Sequence, residues 1–483
     1  MTPSKEALTG IHDGSTILSL VSLLKETVNE SYNRQETIET GAAREQDFDL
    51  TDQLKLAHRA LVLVSKGASE QSSVHHVTIS DPRLAGLKRE ALALVLGTVR
   101  EQNLLDLYVQ NAFPDEKLGI SARCLFRLAT YTFLRLKSRR MISRMERSLK
   151  VIVPPDLLPK LELFLGTLPA YDESRFFSNL KDSERVALET QHSVWWVDYC
   201  FRMLGRSDAI RLLLSPPRPR YLRVNPLRNR GRTSLPRVLG PLVERLTKVP
   251  STPRMYTVKG SLSAFAEFFK DGLFQMQDLA SYLAVTAGAP EPRETVLDLC
   301  AAPGAKTAAI AQLMGNRGEI VSVDYSPVRM KSWKREVQRL GVQIAYPVIG
   351  DAARIGLREN FDLVIVDPPC TGTGVFDRNP RMKWHLSPQS VDRYSILQQR
   401  FLESAASLVD ADGRILYCTC SLTIEENEDV VSTFLKSHPE FETRPVLEQL
   451  GSPGFRGMSD CRRFYPHRDQ TAGYFIARIE RTN

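Results

Sequence analysis

Residues 297–307 read LDLCAAPGAKT, and this stretch indicates the fold of the domain that contains it. Together with the two residues before it, the stretch predicts a strand, then a turn of small residues, then the start of a helix. Ala301, Ala302 and Gly304 would let a ligand approach the backbone closely, and the helix start offers N–H groups that have no partner inside the helix. The stretch lacks the G-x-G-x-x-G pattern of a pyrophosphate cradle. It therefore indicates a nucleotide-type α/β domain that binds a different kind of cofactor.

The chain after residue 290 alternates apolar, strand-like runs with helical ones. The predicted strands are 295–299, 319–323, 345–349, 362–366, 414–419 and 473–478, and the predicted helices include 326–340, 391–408 and 425–436. Alternating β and α units of this length are typical of a mostly parallel, doubly wound sheet. We therefore expect the fold class to be α/β, with this domain covering 289–483.

Three further regions precede this domain. Residues 1–50 are polar and predict a loosely ordered lead-in. Apolar residues recur at helix spacing from Leu54 onward, so that 51–205 predicts an all-α domain. Prolines then mark a linker, and 216–288 predicts a small basic α+β subdomain.

The charge of the chain suggests an anionic partner. The 483 residues carry a net charge of +8, and the pI is about 9.1. This balance favours RNA or DNA, although many basic proteins bind no polyanion. A basic run at 135–140 could contact RNA or could be a solvated helix face. We favour phosphate contact for a second basic group, which comprises Arg218, Arg220, Arg223, Arg228, Arg230 and Arg232.

The cysteine count indicates a reducing compartment. Seven cysteines form an odd set in a long chain, which argues against a disulfide framework. No run of about 18 apolar residues predicts a membrane span, and the N-terminus lacks the pattern of a secretory signal. We therefore expect a cytoplasmic protein with free thiols, without a membrane partner. The oligomeric state is left open.

Two acids follow predicted strands of the α/β domain. Asp324 ends the run 319–323, and a carboxylate at this place can accept hydrogen bonds from both hydroxyls of a ribose. Asp351 follows 345–349 and could accept from an adenine amino group. A helix cap is the alternative role for either acid. Together with the small-residue turn, the two acids indicate S-adenosyl-L-methionine as the cofactor.

Two cysteine-containing segments indicate the chemistry. Residues 367–370 read DPPC after a predicted strand, and residues 417–421 read YCTCS. Carbon C5 of a pyrimidine is a poor nucleophile, but a thiolate that adds at C6 makes C5 enamine-like and able to accept a methyl group. This is covalent catalysis, and a second group must then help to remove the C5 proton and release the thiol.

The identity of the attacking thiol is open on pattern alone, because Cys418 and Cys420 would share a strand face. Cys420 is favoured, since it lies at the predicted strand end, where active-site groups are found. A zinc site built from Cys300, Cys370, Cys418 and Cys420 is the alternative. These residues lack the C-x₂-C spacing of common zinc sites, so we expect no metal.

On these motifs, residues 216–480 resemble the RsmB/Sun-type RNA 5-methylcytosine methyltransferases of the NOL/NOP/Sun family. The resemblance rests on RVN at 223–225, QDLAS at 277–281, DLCAAPGAKT at 298–307, DYS at 324–326, GDA at 350–352, DPPCTGTG at 367–374, RNP at 378–380, TCSL at 419–422, EENE at 425–428, FYPH at 464–467 and GYF at 473–475. The helical region before 205 is similar to the NusB-like RNA-binding domain that precedes the RsmB subgroup.

The resemblance implies a Rossmann-like class I methyltransferase sheet, and it implies roles for the site residues. Cys420 would be the nucleophile, and Cys370 would assist product release, directly or through a base. Asp367 would hydrogen-bond the cytosine or help to seat the cofactor, and Lys306 would approach the base. The cofactor pocket would be lined by Cys300, Ala301, Ala302, Pro303, Gly304, Ala305, Lys306, Asp324, Asp351 and Asp367.

The chain departs from this family at two positions, with Ala305 where glycine is usual and Cys418 where serine is common. An extra methyl group at Ala305 would be harmless if φ is negative there, and otherwise could weaken cofactor binding. The expected activity is an RNA (cytosine-C5-)-methyltransferase that acts on ribosomal RNA, with transfer RNA as the near alternative. The alternative from another class is an RNA-binding assembly factor with weak catalysis.

Overall fold

The computed structural model describes residues 50–482, apart from 137, 171–176, 178–179, 230–234, 251 and 359. The predicted lead-in, except Leu50, lies outside the described residues. The described chain forms two compact units. The first contains the residues up to Leu214 together with Phe376–Leu386, and the second contains Ser215–Val375 together with the residues from Ser387 onward.

The first unit is helical, as the apolar periodicity predicts, and its described residues contain no strand. Its helices are α1 (Leu50–Ser65), α2 (Glu70–Ser80), α3 (Lys88–Arg100), α4 (Gln102–Ala112), α5 (Ile120–Phe133), α6 (Arg139–Ile152), α7 (Leu158–Thr167), α8 (Asp182–Thr190), α9 (Val194–Leu204) and α10 (Arg206–Leu213). Leu54, Ala57 and Leu61 of α1 are buried in the core of this unit. Helix α6 presents its basic residues to solvent and buries Met145 and Leu149, since apolar residues line only one of its faces.

The segment Phe376–Leu386 follows the predicted DPPC loop in sequence but packs with the helical unit. The ring of Phe376 lies 5.9 Å from the ring of Trp196. The indole Nε1 of Trp384 donates to the carbonyl of Val99 at 2.6 Å, and it caps one of the unpaired carbonyls near the end of α3. The sequence pattern did not predict this exchange between units.

A small antiparallel sheet begins the second unit. Its strands are β1 (Arg220–Val224), β2 (Leu246–Lys248), β3 (Met255–Val258) and β4 (Phe274–Met276), in the order β2-β3-β1-β4, with helices α11 (Pro226–Asn229), α12 (Leu235–Leu239) and α13 (Ala266–Lys270). Leu222, Leu239, Phe265 and Phe274 form its core. This sheet belongs to the same compact unit as the large sheet that follows.

The expected phosphate contacts are wrong for two arginines of this region. Arg218 and Arg223 are buried, and each forms hydrogen bonds inside the protein, to Asp278 and to Gln277 respectively. Buried guanidinium groups cannot reach a phosphate on an RNA surface. Arg230 and Arg232 lie outside the described residues.

The large sheet contains nine strands in the order β11-β12-β13-β9-β8-β5-β6-β7, and β10 pairs with β13. The strands are β5 (Thr295–Asp298), β6 (Glu319–Asp324), β7 (Ala345–Ile349), β8 (Phe361–Val366), β9 (Val409–Thr419), β10 (Phe441–Arg444), β11 (Ser452–Pro453), β12 (Arg462–Phe464) and β13 (Tyr474–Arg481). Strands β5 to β9 pair in parallel, whereas β10 to β13 are antiparallel. The mostly parallel sheet is confirmed, with an antiparallel extension at one side.

Helices cover both faces of this sheet, which makes it doubly wound. They are α14 (Leu279–Ala287), α15 (Ala305–Leu313), α16 (Pro327–Arg339), α18 (Pro388–Leu408) and α19 (Glu428–Ser437). Two short helices are also present, α17 (Met382–His385), which belongs to the helical unit, and α20 (Pro466–Asp469). Ile310 of α15 and Leu402 of α18 lie in separate apolar cores. No helix within the described ranges is both long enough and apolar enough to cross a membrane.

The element bounds differ from the predicted ones in two instructive places. Strand β9 begins at Val409 instead of 414, and α19 begins at Glu428 instead of 425. The later start of α19 has a clear cause, because Glu426 and Asn427 turn inward and hydrogen-bond the loop that follows β9. The backbone at these two residues is therefore not helical, although the periodicity predicted a helix there.

Candidate active site

The carboxyl ends of the parallel strands gather the predicted site residues at one edge of the sheet. The cofactor turn, residues 299–304, connects β5 to α15, and Asp324 ends β6. Asp367 follows β8, and Cys420 follows β9. Open α/β sheets bind ligands at this edge.

The cofactor turn has the predicted order of strand, turn and helix. Gly304 has φ of 109°, and it precedes the first residue of α15. A Cβ at this position would lie 3.2 Å from the ring of Trp333, so only glycine combines this conformation with this packing. The Ala302–Pro303 peptide bond is cis.

Asp324 ties the cofactor turn to the end of β6. Its buried carboxylate accepts hydrogen bonds from the N–H groups of Ser326 at 3.0 Å and Ala302 at 3.3 Å. Arg329 Nη1 lies 3.1 Å from its Oδ2. Asp351 is exposed and accepts from the N–H of Ala353 at 3.0 Å, which is the capping geometry of a turn.

Asp298, at the end of β5, is a buried acid that sequence reasoning did not single out as a site residue. Its Oδ2 accepts from the hydroxyl of Thr307 at 2.7 Å, and its Oδ1 has no partner among the residues that the structure describes. Burial raises the pKa of Asp298 to about 6. Its place at a strand end, immediately before the turn, was the signal that could have revealed it.

These residues fit S-adenosylmethionine. The unused oxygen of Asp298 is an acceptor directly under the turn, and Asp324 and Asp367 add carboxylates at the neighbouring strand ends. A cofactor with an ammonium group and ribose hydroxyls supplies the donors that such acceptors require. Gly304 has no side chain, which allows the cofactor to approach the backbone of the turn.

Lys306 and Asp367 form an ion pair beside the cysteines. Burial lowers the pKa of Lys306, but Asp367 and other nearby groups raise it by more, so the ammonium form is favoured. The other oxygen of Asp367 accepts from the hydroxyl of Tyr474 at 3.3 Å. Tyr474 is a residue of β13 that reaches this place only through the antiparallel extension of the sheet, and sequence reasoning did not assign it to the site.

Cys370 and Cys420 lie together, with their sulfur atoms 3.2 Å apart. Both thiols are partly exposed, whereas Cys418 is buried. The sulfur of Cys418 lies 3.8 Å from Asp367 Oδ1 and 3.7 Å from the hydroxyl of Tyr474. Burial raises the pKa of Cys418 well above its ordinary value, which keeps this thiol protonated.

Cys370 is also held in its thiol form. The hydrogen bond to Cys420 raises the pKa of Cys370 well above its ordinary value, and burial raises it further. Cys300, the remaining cysteine at this edge, likewise has its pKa raised by burial. The described part of the chain contains no group of three or more His, Cys, Asp or Glu residues placed to hold a metal ion.

Comparison with known proteins assigns the family. The family model of the 16S rRNA methyltransferases RsmB/F matches residues 285–480. A probable ribosomal RNA small subunit methyltransferase B from Bacillus subtilis is 33% identical over 306 residues, which are 62% of this chain and 68% of that protein. The chain belongs to the RsmB/F family. It is an S-adenosylmethionine-dependent RNA (cytosine-C5-)-methyltransferase.

The likeness to RsmB/F proteins extends beyond the catalytic unit. A second probable methyltransferase B, from Synechocystis, is 28% identical over 412 residues, which are 82% of this chain and 91% of that protein. The crystal structure of PH0851 is also similar, with a TM-score of 0.77 and 28% sequence identity. The similar region covers 91% of this chain and 100% of that chain. The helical region is consistent with the NusB-like domain that the resemblance implied.

Proposed function

We propose that this protein methylates C5 of a cytosine in ribosomal RNA, through a covalent bond between Cys420 and C6 of the base. The observation that carries the proposal is the pair of thiols with their sulfur atoms 3.2 Å apart, at the edge where the cofactor turn also lies. One thiol can attack the base while the other remains in contact with the same reacting centre. Two cysteines at this place serve a two-step reaction better than a single one.

In the first step, the Cys420 thiolate adds to C6, and the electron pair of the C5=C6 bond becomes available at C5. S-adenosylmethionine supplies the methyl group that C5 takes up. Cys370 can donate its S–H hydrogen bond toward the sulfur of Cys420, which keeps the two thiols in contact during the reaction. In the second step, a base takes the C5 proton, the C5–H electron pair re-forms the C5=C6 bond, and the C6–S bond breaks to release the Cys420 thiolate. Cys370 would assist this release directly or through that base.

The ion pair of Lys306 and Asp367 would orient the base. A carboxylate held by an ammonium group and by the hydroxyl of Tyr474 has a fixed direction, and it can accept a hydrogen bond from the cytosine amino group. Lys306 would lie against the same edge of the base. The target cytosine must be single-stranded or flipped out, because stacking hides C5 and C6 in a duplex.

Covalent trapping tests this proposal. Cys370→Ala protein is incubated with cellular RNA and S-adenosylmethionine and then denatured, and the attached RNA is sequenced. We expect attached ribosomal RNA, and we expect no attachment when Cys420→Ala is added to the same chain. Attached transfer RNA would change the substrate, whereas equal loss of attachment in both single variants would overturn the assigned roles.

The free thiols of the described cysteines are consistent with action in the cytoplasm, where thiols stay reduced.

The assembly-factor alternative predicts a different result in calorimetry. If millimolar S-adenosylmethionine produced no heat of binding, the catalytic proposal would fail and the protein would act by binding RNA. We expect measurable binding, because the acids and the glycine turn are all in place.

A further inference from the structure

The carboxylate of Glu426 is buried between the two loops that carry the active-site cysteines. It is fully inaccessible to solvent, although it is acidic. Its Oε1 accepts hydrogen bonds from the N–H of Thr371 at 2.8 Å and from Gln398 Nε2 at 3.1 Å. Its Oε2 accepts from the hydroxyls of Ser421 at 2.7 Å, Thr423 at 2.8 Å and Thr371.

The positions of these donors in the sequence are informative. Thr371 directly follows Cys370, and Ser421 directly follows Cys420. A single carboxylate therefore holds the residue after each cysteine. These five donors are all neutral, so the cost of burying the charge is offset by hydrogen bonds to both loops rather than by a cation.

The neighbouring Glu428 offers a contrast. It is also fully buried, but it forms an ion pair with Arg463. Arg463 in turn donates to the carbonyl of Leu422 at 2.9 Å. A buried acid that serves only to hold the fold is usually paired with a cation in this way. The hydrogen-bond donors to Glu426 are instead neutral groups, and four of the five lie on the two loops that carry the cysteines.

We propose that Glu426 is a positioning residue that fixes the separation of the Cys370 and Cys420 thiols. Its catalytic consequence rests on the proposed function, whereas its effect on the thiols does not. The hydrogen bond to Cys420 and burial raise the pKa of Cys370, and the charge of Glu426 raises it further. Cys370 thus stays a thiol that donates toward Cys420.

Other charged or titratable groups also face the thiol pair or lie near it. They are Asp367 after β8, Lys306 of α15, Cys418 and Tyr417 of β9, and Tyr474 of β13. Each of them would be unchanged in a variant of Glu426. A change in thiol titration that follows substitution of Glu426 alone is therefore assigned to that carboxylate.

The test compares Glu426→Gln with Glu294→Gln. Glutamine at 426 keeps the size of the side chain but removes the charge. Glu294 forms an ion pair with Arg414 at 2.8 Å, at the amino-terminal side of β5, so its variant controls for a loss of stability away from the thiols. Alkylation of Cys370 and Cys420 by iodoacetamide is followed against pH by mass spectrometry of the peptides. Methyl transfer, the KM for RNA and the melting temperature are measured in parallel.

We expect Glu426→Gln to move the alkylation midpoint of Cys370 about one pH unit lower, because a negative neighbour is lost. We expect kcat to fall about 100-fold, since the two loops are no longer held in one geometry. The KM for RNA should stay within about twofold, because no contact to the RNA is removed. Glu294→Gln should leave the alkylation profile and kcat at their wild-type values.

An unchanged alkylation profile and kcat in folded Glu426→Gln would overturn the proposal. If that variant does not fold, Ser421→Ala and Thr371→Val replace it in the test. Each of them removes one hydroxyl that donates to Glu426, and each should reduce kcat. A wild-type kcat in both would also overturn it. Alkylation needs no RNA, so the effect of Glu426 on the thiols can be measured even if the proposed methylation is wrong. In that case the wild type would show no methyl transfer, while Glu426→Gln would still change the alkylation profile.

Discussion

The cysteine loops and the cofactor turn lie at the same edge of the sheet, yet their buried polar groups are satisfied in different ways. Under the cysteines, both oxygens of Glu426 accept hydrogen bonds from the protein itself. Beside the cofactor turn, one oxygen of Asp298 has no hydrogen-bond partner among the described residues. The guanidinium of Arg223, which donates to the carbonyl of Ala305 at 3.2 Å, likewise has two nitrogens without a partner in the described part of the chain.

The two sides of the site therefore suit different tasks. A fully hydrogen-bonded set holds its geometry before substrate arrives, and this suits two thiols that must stay close together. A set with unused polar atoms has capacity left for a ligand, and it costs stability. Burial lowers the pKa of Arg223 to about 9 and raises that of Asp298 to about 6, and both shifts disfavour the charged form.

The largest expected effect comes from Gly374→Ala, which breaks the packing on the cysteine side. Gly374 donates to the carbonyl of Cys420 at 2.9 Å and accepts from the N–H of Gly473 at 2.9 Å. A Cβ at Gly374 would lie 2.6 Å from the Cα of Gly473, so the backbone of the loop must move. We expect kcat to fall about 100-fold and the free energy of unfolding to fall by about 1–3 kcal/mol.

Gly356→Ala is the matched control for Gly374→Ala. A Cβ at Gly356 meets nothing within 4 Å, so its activity and melting temperature should match the wild type. Calorimetry of S-adenosylmethionine binding separates the two sides of the site. If Gly374→Ala weakened cofactor binding as much as it slowed transfer, the cysteine side and the cofactor side would not be independent.

A smaller effect on function, and a change in stability of opposite sign, are expected from Asp298→Asn on the cofactor side. The folded-state pKa of about 6 lies above the ordinary 3.8, so ionisation of Asp298 opposes folding. Stability is therefore lost as pH rises from 3.8 to about 6. Asparagine cannot ionise, and at pH 8 the cofactor-free variant should exceed the wild type by up to about 3 kcal/mol.

The same substitution should weaken cofactor binding about tenfold, because a charged acceptor becomes neutral. Thermal melts without cofactor at pH 5 and pH 8, together with calorimetry at pH 8, measure both effects. The stability advantage should shrink at pH 5, where Asp298 of the wild type is mostly protonated when folded. A variant that is less stable than the wild type at pH 8 would contradict this account of Asp298.

The smallest effect is expected from Ala305→Gly, which restores the residue usual in the family. Ala305 is the first residue of α15, and its φ is not positive, so the methyl group causes no backbone strain. We expect cofactor affinity to change by less than about twofold and stability to fall by about 0.5–1 kcal/mol. A tenfold gain in affinity would show that the methyl group obstructs the cofactor.

The sequence predicted that the candidate site residues would lie at one edge of the sheet, because they follow strand-like runs. Asp324, Asp367 and Cys420 come directly after or at the end of apolar runs, and parallel strands bring such positions to one edge. Tyr474 and Glu426 were missed as site residues for a physical reason. Tyr474 reaches Asp367 through antiparallel pairing between strands distant in sequence, and Glu426 lies where helical periodicity predicted a regular turn.

The α/β fold class, the cofactor turn and the two cysteine-bearing segments can be predicted from the sequence alone, because they depend on local periodicity and on residue types at strand ends. Which thiols meet depends on the tertiary structure. Cys418 and Cys420 are two residues apart, yet one faces Asp367 and the other faces Cys370. The strand ends between them, so the strict alternation of side chains no longer applies, and the direction of each thiol depends on the loops packed against it.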